Sequence, residues 1–243
     1  MTPHPMRPFL YCLFVVSCLS LVLWTGQNIT TAAAAGKTTD KASSSGGGGV
    51  ATTMPKQCRP GKTSTEALGW RWKPNTRVSI YYLKNDFSVA ETEAFSRAIN
   101  NWNKALKEID SRVVFMIEGE RETIVEDNAS VTVLRGIPKG KDGVGQLRFY
   151  SMSNGVMRAT MILSPTVTDP NALTSLVTHE LGHSLGLADC YECKRGTTAM
   201  SAFKGSNKGN DVYEPSECDK YVVAAGFANE MNEQARIVST GQK

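Results

Sequence analysis

The sequence predicts an α+β fold built on one twisted sheet. Three observations carry that expectation. Short β-branched and aromatic runs are mixed with two long segments of helical periodicity. Asn154-Gly155, a strong hairpin signal, sits between two strand-like runs and turns one back antiparallel to the other. A length of 243 residues with 41% hydrophobic and 21% charged content suits one sizeable folded domain plus extensions, or at most two small domains.

In chain order, "RVSIYYL" (Arg77–Leu83) reads as the first strand. Ser88 and Glu91 form a capping box. The helix it opens runs to about Ile109, with Ala94, Phe95, Ala98, Ile99, Trp102 and Leu106 on its apolar face. Phe95 and Trp102 are read as core. "RVVFMIE" (Arg112–Glu118) and "SVTVLRG" (Ser130–Gly136) give two further strands. "QLRFYS" (Gln146–Ser151) and "VMRATMILS" (Val156–Ser164) make the hairpin. Asp169 and Pro170 then supply an N-cap and a first helical position. That helix carries Leu173, Leu176, Val177, Leu181 and Leu185 and stops at Gly186. A last helix is expected from about Ser216 to Met231.

Residues 1–26 read as a signal peptide or signal anchor: Arg7 precedes the uncharged apolar run Phe9–Trp24. Ala32–Ala35 offers a cleavage site somewhat far downstream, and "VVSC" at Cys18 loosely matches a lipidation motif. Residues 27–57, rich in Thr, Ala, Ser and Gly, cannot bury enough apolar surface to offset chain entropy and read as a flexible linker. The folded domain is assigned to residues 58–243 and placed outside the cytoplasm, secreted or held at the membrane through its N-terminus. A formal net charge of +4 without a basic stripe argues against a nucleic-acid partner. A monomer is expected.

Cys12 and Cys18 fall in the export segment, leaving Cys58, Cys190, Cys193 and Cys218. An even count in an exported domain suggests two disulfides, for which three connectivities exist. The pairing favoured here is Cys190 with Cys193 and Cys58 with Cys218. Asn28 and Asn128 lie in N-x-[ST] sequons, which matter only in a eukaryotic secretory route.

The chemistry concentrates in "HELGHSLGLADC" (His179–Cys190). Four residues apart on a helix, His179 and His183 share a face and can meet one ion. Glu180 between them is placed to act as general base on a water, the HExxH arrangement of zinc hydrolases. Gly186 lets the helix end in a left-handed turn that can bring Asp189 back beneath the ion. Two histidines and one further protein ligand leave a position open, as catalytic zinc requires.

These residues resemble the metzincin peptidases, whose signature is HExxHxxGxx followed by His or, in a minority such as the snapalysin-like bacterial members, by Asp. In "GTTAMSAF", Met200 stands eleven residues after Asp189 and looks like the Met-turn beneath the zinc of that family. The resemblance covers roughly Trp70 to Phe227. It is most similar to matrixin-type bacterial enzymes, because Ala202 stands where other members place a tyrosine ligand. It implies a zincin-like catalytic domain with a mostly parallel sheet, an antiparallel edge strand, an active-site helix and a long N-terminal helix. It also implies a zinc-dependent endopeptidase acting on protein or peptide substrates, with the segment Val144–Ser151 as the edge strand along which substrate extends.

A carboxylate is an accepted zinc ligand, so Asp189 can complete the set; the downstream acids Glu192, Glu214 and Glu217 are its competitors, and a turn-capping role is the alternative. Of three histidines in the chain, His4 lies in the export segment, so no histidine replaces Asp189 and no second, structural zinc site is expected. "DGVG" at Asp142 is too little to argue for calcium. "PKQCRPG" around Cys58 faintly resembles a cysteine switch, against which parity of the remaining thiols speaks. Two other functional classes stay open at this level: a zinc-binding adhesion module without efficient catalysis, and a zinc amidase or esterase.

Overall fold

Five strands and three helices account for the regular structure of the computed structural model, which describes residues 54–139, 143–151, 157–203 and 210–240. They follow in the order β1 (Arg77–Leu83), α1 (Val89–Glu108), β2 (Val114–Arg121), β3 (Ser130–Arg135), β4 (Gly145–Ser151), β5 (Met157–Leu163), α2 (Pro170–Ser184) and α3 (Glu217–Thr240). The sheet order is β2-β1-β3-β5-β4. All neighbours pair in parallel except β4, which runs antiparallel to β5 and forms one edge. This is the α+β architecture with a mostly parallel sheet that the sequence led us to expect.

The local chemistry explains the boundaries. At Ser88 the capping box closes as expected: the Glu91 carboxylate accepts from the Ser88 N–H at 2.7 Å and Glu91 N–H donates back to Ser88 Oγ. Asp169 caps α2 by accepting from the N–H groups of Asn171 and Ala172. β2 differs from its expected range, Arg112–Glu118. Asp110 and Arg112 both adopt positive φ, so the chain is still turning and the strand starts at Val114. A bulge then adds a residue, Ile80 facing Ile117 and Tyr81 facing Gly119, which carries β2 on to Arg121. α3 reaches Thr240 rather than Met231. The Glu, Gln, Ala and Arg residues beyond Met231 are good helix formers, which explains the extension.

Helices α1 and α2 supply most of the core with the sheet. Phe95 and Trp102 are buried, and Trp102 Nε1 donates to the Thr178 carbonyl at 2.8 Å, fastening α1 to α2. α2 is buried nearly all round, and the hydroxyls of Thr174, Thr178 and Ser184 are satisfied by its own backbone. Thr178 Oγ1 donates to Thr174 O, and Ser184 Oγ to Leu181 O. A helix enclosed in this way is a rigid platform.

Cys58 is bonded to Cys218 and Cys190 to Cys193, the pairing favoured from the sequence. The expected export segment and most of the linker, with His4, Cys12, Cys18 and Asn28, lie outside the described residues, as do Asp142 and the Asn154-Gly155 turn. Asn128 is exposed between β2 and β3. Among the described residues no helix is long and apolar enough to cross a membrane.

Candidate metal centre

α2 presents His179 and His183 one turn apart, and each ring is fixed by a backbone carbonyl. His179 Nδ1 lies 2.8 Å from Ala199 O, and His183 Nδ1 lies 2.8 Å from Leu187 O. A carbonyl only accepts, so both imidazoles carry a proton on Nδ1 and turn Nε2 toward Asp189, where it can bind an ion when it carries no proton. The helix ends at Leu185, Gly186 takes φ +86°, and the chain doubles back. A side chain at Gly186 would also meet the Trp70 carbonyl at 2.8 Å, so both conformation and space demand glycine. The turn delivers Asp189, whose Oδ1 lies 3.1 Å from His179 Nε2 and 3.7 Å from His183 Nε2.

Donor atoms of His179, His183 and Asp189 all fall within 4.8 Å of one another. For a tetrahedral ion with bonds of about 2.0–2.1 Å, ligand atoms sit roughly 3.4 Å apart, and the two carboxylate–imidazole distances bracket that spacing. Two neutral imidazoles and a carboxylate suit zinc and other divalent first-row metals. Among the described residues this is the one such cluster. Glu192 and Glu214 are exposed and outside it, and Glu217 pairs with Lys220 on the surface. Cys58, bonded to Cys218, offers no thiolate for a cysteine switch.

The electrostatics differ between the two histidines. Burial, assisted by the neighbouring His179, pushes His183 down to about 4, so its imidazole is neutral at pH 7. For Asp189, burial pulls upward, but the hydrogen bond with His179 and the two imidazoles overcome it and hold the carboxyl at about 2. The Tyr191 hydroxyl, donating to Asp189 Oδ2 at 3.1 Å, acts in the same direction. Burial opposes protonation of His179, yet its hydrogen bond with Asp189 and the nearby carboxylates raise its pKa.

Glu180 is 3% exposed, and burial lifts its pKa to about 7, with His179 opposing and Asp189 adding to the rise. Its Oε2 has no hydrogen-bond partner, a costly condition for a buried carboxyl unless a ligand or water completes it. Both histidines, Glu180 and Asp189 line one cleft, walled by Gly145, Leu147 and Phe149 of β4 on one side and Phe203 on another. Gly145 backs directly onto Glu180, leaving no room for a Cβ.

Beneath the site, Met200 is wholly buried and its Sδ packs against Gly182. The turn that carries it is held by two buried residues to which sequence reasoning gave no role. Asp219 accepts from Thr198 Oγ1 and from the Ala199 N–H at 3.0 Å. Asn210 Nδ2 donates to the carbonyls of Ala199 and Ser201. Since Ala199 O orients His179, these contacts extend the candidate metal centre inward. Nothing local in the sequence ties Asp219 to a turn twenty residues earlier.

Comparison with protein-family models and with curated proteins finds no match for this chain.

Proposed function

We propose that the chain is an exported zinc endopeptidase of the metzincin type. The observation that carries this reading is the convergence of His179, His183 and Asp189 beside a buried glutamate with an unpartnered oxygen, all in a cleft bordered by an antiparallel edge strand. Zinc bound by the three donors would supply Lewis acidity, polarising the scissile carbonyl and acidifying a water.

The protein's own contribution is then defined residue by residue. Glu180, with a pKa of about 7, is matched to taking a proton from the attacking water and returning it to the leaving amine. Edge strand β4 pairs with β5 on one side, so its other side offers backbone groups to an extended peptide. Gly145 lets that strand approach Glu180 closely, bringing a paired peptide bond over the reacting groups. A binding module would have no use for a general base buried at its metal, which favours hydrolysis over adhesion.

The test compares the zinc-loaded wild type with Glu180→Gln on an unfolded protein substrate. The reading predicts chelator-sensitive cleavage whose rate falls by about 10²–10⁴ in the variant while zinc content is unchanged. Equal cleavage by both proteins would remove Glu180 from the mechanism.

A further inference from the structure

Asp189 sits on a loop beyond α2, where no helix fixes it. We propose that Thr65 is the positioning residue for this third donor, an inference that rests on the reading of Asp189 as a metal ligand. Before β1, residues 64–68 run back across the loop. Leu68 N–H donates to Gly186 O at 2.6 Å, Ala188 N–H donates to Glu66 O at 2.9 Å, and Ala67 and Leu187 form an antiparallel bridge.

This pairing holds the loop up to Ala188 but does not reach the peptide of Asp189. Thr65 does. It is 2% exposed, and its Oγ1 donates to the Ala188 carbonyl, which belongs to the peptide entering Asp189. On the other side, the peptide leaving Asp189 is fixed by Cys190 N–H donating to Met200 O at 2.8 Å. With both flanking peptides clamped, the direction of the Asp189 side chain is set before any ion arrives. The strap itself is tethered to α3 through the Cys58–Cys218 disulfide. Removing the Thr65 hydroxyl frees one of the two clamps and leaves the sheet and α2 untouched.

The experiment uses the full chain and measures zinc affinity by competition with a chromophoric chelator, alongside the absorption spectrum of the cobalt-substituted protein. Outer partners of metal ligands typically change affinity by about 10–100-fold, and Thr65→Val and Thr65→Ala should each weaken zinc binding on that scale. Thr65→Ser, which keeps the hydroxyl, should restore both affinity and cobalt spectrum. The pair of valine and alanine variants separates loss of the hydroxyl from misfit of a methyl group. Melting in chelator checks that each variant folds.

In an Asp189→Ala background, Thr65→Val should bring no further loss, because Thr65 acts through Asp189. Wild-type affinity in Thr65→Val and Thr65→Ala, or the same fold-loss with and without Asp189, would overturn the proposal. A wild type that binds no zinc, or an Asp189→Ala protein that binds as tightly as wild type, would instead overturn the metal assignment on which it rests.

Discussion

Met200 Sδ packs so closely on Gly182 that a Cβ at that position would overlap it. The two residues come from α2 and from the turn that packs against it, so their contact sets the depth at which the turn meets His179. In an open helix, Gly→Ala is stabilising by up to about 1 kcal/mol. Here Met200 is fully buried and cannot move aside freely. We expect Gly182→Ala to destabilise by about 1–3 kcal/mol through overpacking, measured by denaturant unfolding, and to weaken zinc binding as the turn shifts. A stabilised variant would show that Met200 repacks without strain.

Gly145 poses the same steric question where β4 lines the cleft. A side chain there would run into Glu180 Oε1 and approach Leu176 Cδ1 to 2.7 Å. If the proposed function holds, Gly145→Val should push β4 away from Glu180, lowering kcat/KM with little change in zinc content. Steady-state kinetics beside metal analysis checks this. Unaltered kinetics would mean that β4 does not guide the substrate.

Asp219 accepts from Thr198 Oγ1, from the N–H groups of Ala199 and Ser216, and from Ser216 Oγ, the Thr198 and Ala199 bonds being buried. Asp219→Ala strands those donors, and each unsatisfied group costs about 1–3 kcal/mol. The variant should melt well below wild type and bind zinc more weakly. Asp219→Asn, which keeps the shape and part of the acceptor capacity, should lie between them in thermal unfolding.

The Glu91–Arg135 ion pair gives the pH dependence a defined sign. Burial raises the Glu91 pKa, but the Ser88 backbone and hydroxyl donors and the Arg135 guanidinium overcome it, and the net shift is downward. A carboxylate with a depressed folded pKa contributes stability fully above its unfolded value of about 4.3. That contribution is lost as pH falls through the folded value. Glu91→Gln should therefore be less stable than wild type near pH 7, and the gap should close in acid. Denaturant midpoints across pH 2–7 measure it; a gap independent of pH would show that the ionised carboxylate does not carry the effect.

Legibility of the sequence followed the range of the interactions. Ser88, Asp169 and Pro170 announce helix starts because capping is local, and Gly186 announces a stop for the same reason. His179, Glu180 and His183 were readable because one helical turn fixes their mutual geometry. Asp189 was readable as a candidate through the Gly186 turn, while its advantage over Glu192, Glu214 and Glu217 emerged only from the folded loop. The bulge at Glu118 was hidden because a bulge depends on the partner strand, here Ile80 and Tyr81. Thr65, Asn210 and Asp219 were hidden for a related reason. Their partners Ala188, Ala199 and Thr198 lie far along the chain, and a lone Thr, Asn or Asp carries no periodic signal.

The most direct test of the account strips the full chain of metal and restores zinc in measured steps while following cleavage of an unfolded protein. The account predicts that activity returns in proportion to zinc and saturates at one ion per chain, and that Glu180→Gln reaches the same occupancy without comparable cleavage. Full occupancy with no cleavage by the wild type, or cleavage that persists in the stripped protein, would contradict it.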